Sequence, residues 1–417
     1  MKDWSEQPGG LDARPEGPDP RPEDPDPRPE GPDERPEGPD ERPEQSGPPD
    51  GRPPRPRPLL ILVLVAVVLV AVLATVALLL HHHNGSAGFS GRVDAPLGDR
   101  RQRVTAWITS TTRSLDPVFA THALDEVDCD WYTIGADGTV SAGPENLALV
   151  ANARKHGVQA FATVTNRPSS RGSFTASIAR QVLASPASQQ HAIDSLVSLA
   201  EAKGYDGVDL DWELIPVADR DAFSRFATDL AAALHAQHRL LSVAVFAKTS
   251  EPGRWDSQKV YDYRALGAAV DELKIMTYSY SGPWSSPGPQ APLAWTRAVI
   301  DFARTLVPAD KIYMGLPFYG YDWSKDGVTA LQASEAAALV TRHHFKVDHN
   351  KASGEADLSY VDRAGVTHVL WYVDRKAVAT KLGLLESSFP DIGGVAIWQI
   401  YKEDPGFWPV IEQAMRR

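Results

Sequence analysis

Tyr205-Asp206-Gly207-Val208-Asp209-Leu210-Asp211-Trp212-Glu213 sets acidic and apolar side chains at alternate positions. Successive side chains of an extended strand point to opposite faces, so Asp209, Asp211 and Glu213 share one face while Val208, Leu210 and Trp212 share the other. The apolar face needs cover, and the acidic face needs a chemical reason, because buried charges without partners are costly. Adjacent carboxylates cannot all ionise comfortably; they share protons, and at least one pKa rises. A carboxyl that stays protonated near neutral pH is what general acid catalysis requires. Two other readings fit the same residues: a solvated acidic strand end, and a divalent-metal site made of hard oxygen ligands. Metal sites usually recruit ligands from several strands, and no clear matching Asp, Glu or His stands at the other strand ends.

Outward from this stretch, apolar β-rich runs alternate with amphipathic helical patterns. The runs are VTAWITS (104–110), DWYTIGA (130–136), VQAFATVT (158–165), GVDLDWE (207–213), LLSVAVFA (240–247), ELKIMTY (272–278), KIYMGLP (311–317) and GGVAIWQI (393–400). Between them lie segments such as AIDSLVSLAEAKG and DAFSRFATDLAAALHAQ, which carry helical periodicity. Strands alternating with helices predict parallel pairing, and eight such units predict an α/β fold, a (β/α)8 TIM barrel over residues 96–417. The surplus length falls between the seventh and eighth strands, where residues 320–390 read as a small α+β insertion. A doubly wound open sheet is the competing fold, but no glycine-rich phosphate loop follows the first strand. In a barrel the acidic face of the fourth strand points inward, with Glu213 nearest the mouth, where such folds place their chemistry.

DGVDLDWE (Asp206 to Glu213) resembles the DxxDxDxE signature of glycoside hydrolase family 18, a family of barrels that includes chitinases, endo-N-acetylglucosaminidases and bacterial spore-cortex hydrolases. KIMTYSY (274–280) is similar to the family's sixth-strand Met-x-Tyr-Asp motif, and GLPFYGYDW (315–323) to the seventh-strand motif that opens its insertion. GGVAIWQI resembles the eighth strand, whose tryptophan floors the sugar site. VTN (164–166), the strand end at Lys248 and THVLWYVD (367–374) look closest to the spore-germination branch. The resemblance implies Glu213 as acid and then base, Asp211 turning from Asp209 to orient the substrate's 2-acetamido group, and Tyr278 bonding the acetamido oxygen. It also implies Trp398 stacking beneath the sugar, with Asp206, Met276, Asn166 and Tyr319 among the substrate-binding positions. The acetamido oxygen, rather than a protein group, would attack the anomeric carbon, giving net retention without cofactor or metal. The chain departs from the motif at Ser279, where the family carries Asp, or in some branches Glu or Asn. A hydroxyl is shorter and carries no charge, so reduced or redirected activity rather than loss is the expectation.

The remainder of the chain has a different character. Of 34 prolines in 417 residues, 18 fall in residues 1–58, which carry a net charge of −7 out of −12. Arg14, Arg21, Arg28, Arg35 and Arg42 recur every seven residues, each followed by Pro-Glu, without apolar positions for a coiled-coil seam. Such a tail cannot bury enough surface to offset its ordering entropy, and it reads as a disordered spacer or a docking segment for an unknown cytoplasmic partner. Residues 59–80, LLILVLVAVVLVAVLATVALLL, contain no charge and span ~33 Å as a helix, the thickness of a bilayer core. A cleaved signal peptide has a shorter apolar core and a shorter preceding region. Arg52, Arg55 and Arg57 flank the run on its N-terminal side, and the next basic residue beyond it is Arg92. This predicts a single-pass anchor with a cytoplasmic tail and the barrel outside.

Residues 81–95, with His81-His82-His83 and the sequon Asn84-Gly85-Ser86, read as linker. The single Cys129 excludes an intrachain disulfide, and the acidic balance argues against nucleic acid as a partner. His343, His344 and His349 of the insertion read as surface residues. The expected function is therefore that of a membrane-anchored glycosidase acting on N-acetylated polysaccharide, with peptidoglycan favoured over chitin. A lectin-like binder on the same barrel is the alternative; lectins of the family commonly lose the terminal glutamate, which is present here as Glu213.

Overall fold

The computed structural model of the chain describes residues 102–415. The tail 1–58, the apolar run 59–80 and the linker 81–95 lie outside the described residues, among which no helix is long and apolar enough to cross a membrane. In chain order the strands begin with β1 (Arg103–Thr109), β2 (Glu126–Ile134), β3 (Val140–Ala142), β4 (Gln159–Thr165) and β5 (Gly207–Asp211). They continue with β6 (Leu240–Phe246), β7 (Glu272–Met276), β8 (Ile312–Pro317), β9 (Tyr319–Ser324) and β10 (Gly327–Gln332). The last are β11 (Asp348–His349), β12 (Ala356–Val361), β13 (Thr367–Tyr372) and β14 (Gly394–Trp398).

β1, β2, β4, β5, β6, β7, β8 and β14 pair in parallel with their neighbours, and β1 pairs with both β14 and β2, which closes the ring. This is the eight-stranded barrel that the alternating pattern predicts. β3 adds an antiparallel hairpin arm to β2. The helical layer follows from local sequence. Helix Pro186–Lys203 starts on a Ser185 side chain that accepts from the Ser188 amide, and ends at Gly204 in the left-handed conformation (φ 70°) that glycine adopts without penalty. Val208, Leu210 and Trp212 of the decisive stretch are fully buried, and the Trp212 ring stacks on Phe226 of helix Arg220–Ala236 with centroids 5.1 Å apart.

Two boundaries differ from the sequence reading more widely than the strand ends, such as that of the fourth barrel strand, which stops at Asp211. The second strand starts at Glu126 rather than Asp130, because Glu126-Val-Asp-Cys-Asp alternates acids into the barrel, where a search for apolar runs passes over them. The insertion is a five-stranded antiparallel sheet of order β10-β9-β13-β12-β11 with helix Ala333–His343 packed on it. It ends at β13; helix Arg375–Ser388 packs instead against the final helix Phe407–Met415 and belongs to the wall of the barrel.

The interior of the barrel floor is ionic. Lys274 of β7 lies 2.9 Å from Glu126, 2.6 Å from Asp128 and 3.7 Å from Asp209, while Arg103 of β1 lies 2.6 Å from Glu272. Arg103 also reaches Glu126 at 3.1 Å. Four carboxylates, Glu126, Asp128, Asp209 and Glu272, thus face two cations. Burial pushes Asp128 well above the ordinary carboxyl range and Glu272 up to about 7. Burial pushes Glu126 the same way, but Lys274 and Arg103 outweigh it and hold that carboxyl low. The acidic ladder rests on this layer.

Candidate active site

Asp209 is the innermost rung and is fixed from three other strands. Its Oδ2 accepts from Trp107 Nε1 on β1 and from Thr163 Oγ1 on β4, each at 2.9 Å, and its Oδ1 accepts from Ser242 Oγ on β6 at 2.5 Å. The side chain is fully buried with its lone pairs largely committed, which suits a framework role more than direct chemistry.

Asp211 and Glu213 stand above it, each only 7% exposed. Oδ1 of Asp211 is buried and has no hydrogen-bond partner, a state that costs about 1–3 kcal/mol unless a ligand relieves it. Burial first, then the neighbouring Glu213, lifts the Asp211 carboxyl well above its usual range. Burial pushes Glu213 up to about 8; Arg167 opposes that rise and Asp130 adds to it. At neutral pH the pair therefore retains protons, as a general acid must. Regular strand pairing stops at Asp211, and Leu214 takes a left-handed backbone (φ 55°), so Glu213 sits on the turn that leads out of β5.

The expected sugar-binding residues divide. Tyr278 is half-buried just beyond β7, and its phenol is held well above the ordinary range by burial, by Tyr319 and by the acids of the ladder, so it remains a donor. Its ring meets Tyr319 edge-on at 6.3 Å, and Tyr321 and Trp323 continue the row along one face of β9 at 5.7 and 5.6 Å. Met276 is half-buried at the end of β7, and Trp398 at the end of β14 tilts against Trp107 at 5.9 Å. Ser279 Oγ and the Tyr319 hydroxyl are 2.7 Å apart, so the residue that replaces the motif's acid is tied to the wall of the insertion.

Asn166 and Asp206 do not join the sugar-facing set. Asn166 is fully buried; its Nδ2 donates to the carbonyls of Glu213 (2.7 Å) and Thr175 (3.3 Å), and its Oδ1 accepts from the Glu213 amide (2.9 Å). With its amide spent on the backbone, it positions the acid. Asp206 precedes β5 at the opposite end of the barrel, where its Oδ2 accepts from the Ala160 amide at 2.9 Å and lies 3.6 Å from Arg154. Its part is to lock β4 to β5.

Sequence reasoning missed Asp130 and Arg167, a buried ion pair beside the ladder. The signal was present: Glu126, Asp128 and Asp130 repeat, on the second barrel strand, the alternation that singles out the fourth. Among the described residues no group of three or more His, Cys, Asp or Glu side chains is arranged to hold a metal ion.

Comparison with known proteins bears on the same residues. The family model for glycosyl hydrolases family 18 matches residues 145–403. The chain is 29% identical over 314 residues to the uncharacterized glycosylase YvbX of Bacillus subtilis (strain 168), covering 74% of this chain and 90% of that protein. It is 28% identical over 282 residues to the cortical fragment-lytic enzyme of Bacillus anthracis, covering 66% of this chain and 64% of that protein's length. Among solved structures, a chitinase from Chromobacterium violaceum ATCC 12472 superposes with a TM-score of 0.68 at 29% identity, covering 75% of this chain and 98% of that one.

Proposed function

The chain belongs to glycosyl hydrolase family 18, and from that membership we propose that this glycoside hydrolase cleaves β-1,4 bonds at N-acetylglucosamine in cell-wall glycan by a retaining, substrate-assisted route. The observation that carries the proposal is the orphaned Oδ1 of Asp211 beside the Glu213 carboxyl, which burial pushes up to about 8. A buried acceptor without a partner fits a substrate N–H, and an acetamido group supplies one two bonds from the reacting carbon. Glu213 gives its proton to the glycosidic oxygen as the bond to the anomeric carbon breaks, and the acetamido carbonyl oxygen bonds to that carbon from the opposite face. Asp211 accepts from the acetamido N–H and stabilises the oxazolinium that results; Tyr278 donates to the acetamido oxygen. Glu213, now a carboxylate, takes a proton from the water that opens the ring. Asp130, a further carboxylate close to the ladder, is bound to Arg167 and is not free to act as a nucleophile.

The wider setting rests on sequence and on likeness. The uncharged run 59–80 with arginines on its N-terminal side supports an anchor that holds the barrel outside the membrane, next to the wall. The likeness to a cortical fragment-lytic enzyme supports peptidoglycan as the glycan, and the likeness to a chitinase keeps chito-oligosaccharides in the test. Full-length wild type and Glu213→Gln in detergent are incubated with peptide-stripped peptidoglycan and with chito-oligosaccharides, and new reducing ends are identified by mass spectrometry. Ends that depend on Glu213 support the hydrolase, and the terminal sugar names the bond. Retention of glycan by folded wild type without any cleavage overturns it in favour of a binder, with Ser279 as the departure that accounts for the loss.

A further inference from the structure

One ion pair inside the barrel mouth is not used by the chemistry above. Asp130 of β2 and Arg167, two residues past β4, are 5% and 1% exposed and are bonded to each other. A buried ion pair contributes little net stability, because desolvation offsets the attraction; its presence beside a catalytic acid asks for another account. Geometry ties it to Glu213. Arg167 follows Asn166, whose amide grips both backbone groups of Glu213. The guanidinium is itself fixed: Nε donates to Thr165 Oγ1 at 2.9 Å, and the group lies 5.2 Å from the Phe174 ring. Thr165 is the register partner of Asp211, and Asp130 that of Thr163, the residue that donates to Asp209. The pair therefore lies at the level of the ladder, in its enclosed face.

We propose that Asp130 and Arg167 are positioning residues that set the proton affinity of Glu213 through opposed fields, the guanidinium lowering it and the carboxylate raising it. The proposal rests on Glu213 being the general acid. The other ionisable groups around Glu213 and Asp211 are Asp209 on the same strand, Tyr278 beyond β7 and Tyr261 beyond β6. One layer below lie Asp128 and Glu126 of β2, Lys274 and Glu272 of β7, Arg103 of β1 and Tyr313 of β8. Lys274 is engaged by Glu126 and Asp128 in that lower layer, and the buried Lys248 beyond β6 donates to the Tyr261 carbonyl at 2.5 Å and pairs with Glu251 at 2.9 Å, while Arg167 is bonded to Asp130 at the level of the ladder.

The test uses full-length protein in detergent: wild type, Arg167→Gln, Asp130→Asn and the double variant, each beside its Glu213→Gln counterpart. The carboxyl band of Glu213 is isolated by infrared difference spectroscopy and titrated, and the alkaline limb of kcat/KM is followed in parallel. Arg167→Gln is expected to raise the midpoint by about one pH unit, Asp130→Asn to lower it by about the same, and the double variant to return between them. A purely structural role predicts loss of stability without opposite shifts. Shifts of the same sign, or none in variants that melt cooperatively, overturn the proposal. If Arg167→Gln does not fold, the downward shift in Asp130→Asn and its reversal in the double variant carry the test alone. The infrared titration needs no turnover, so failure of all proteins to cleave glycan sinks the hydrolase reading while the titration still decides this one.

Discussion

Asn166 and Glu213 are joined side chain to backbone: Nδ2 of the asparagine donates to the Glu213 carbonyl at 2.7 Å, and its Oδ1 accepts from the Glu213 amide at 2.9 Å. Glu213 lies past the last paired residue of β5, where a strand end would otherwise fray. The asparagine mimics the next rung of the sheet and carries the register of β4 one step further, so the acid is held as firmly as a strand residue although it stands in a turn.

Removing that clamp separates positioning from binding. Asn166→Ala leaves the buried amide and carbonyl of Glu213 without these partners, at about 1–3 kcal/mol for each group that water cannot reach. A misplacement of the acid on the order of 1 Å is enough to cost about 10²-fold in rate. We expect kcat on chito-oligosaccharides to fall by about that factor with KM changed little, and the melting temperature to drop. A KM effect with kcat unchanged would show that Asn166 contacts sugar after all.

The raised pKa of Glu213 has a sign for both activity and stability. A general acid that titrates at about 8 is protonated below that pH, so kcat/KM should fall as pH rises through it. In the unfolded chain the same carboxyl titrates near 4.5, so between about 4.5 and 8 the folded protein binds more protons and this group's contribution to stability declines as pH rises. Glu213→Gln removes the titration. Its stability relative to wild type should grow across that window by a few kcal/mol, as an order of magnitude. Denaturant melts at pH 5 and pH 8.5 check this, and a constant difference would mean that the acid is not shifted.

Lys274 is expected to be the most costly single loss in the floor. Glu126 and Asp128 lie 2.9 and 2.6 Å from its ammonium, all of them fully buried. Breaking a buried pair by removal of one partner typically costs about 3–5 kcal/mol, because the other charge is left uncompensated. Lys274→Met should lose at least that, and adding Asp128→Asn should restore part of it, since the second change removes one of the stranded carboxyls. Additive losses in denaturant titrations would contradict the coupling.

The parts of this architecture that repeat locally were legible. Apolar β-rich runs separated by helical patterns located all eight barrel strands, and period-two alternation singled out Asp209, Asp211 and Glu213. What escaped were relations between distant strands. Nothing near Asn166 says that its amide will be spent on residue 213, and the pairing of Asp130 with Arg167 closes only when β2 and β4 lie side by side. Asp206 was misplaced for a related reason. A motif groups residues by sequence, but Asp206 and Glu213 are separated by the whole length of a strand, so one locks the floor while the other stands at the mouth. The acids of β2 were passed over because a charged strand looks like a loop until its counter-ions, Lys274 and Arg103, arrive from other strands.

Ser279 tests what the departure from the family motif has done to the wall of the site. Its hydroxyl meets that of Tyr319 at 2.7 Å, yet the two partners are unequally exposed: Tyr319 is 8% exposed and Ser279 is half-buried. Ser279→Ala strands a buried phenol and should cost about 1–2 kcal/mol, whereas Tyr319→Phe leaves a hydroxyl that water can reach and should cost less than about 1 kcal/mol. The order of the two, measured by thermal or denaturant unfolding, is the prediction. If it holds, the serine serves to brace Tyr319, and through their edge-on contact Tyr278, against the cleft. Ser279→Ala should then also lower kcat several-fold, because Tyr278, in its proposed role as donor, loses its support, while Tyr319→Phe keeps the ring in place and should preserve turnover more fully.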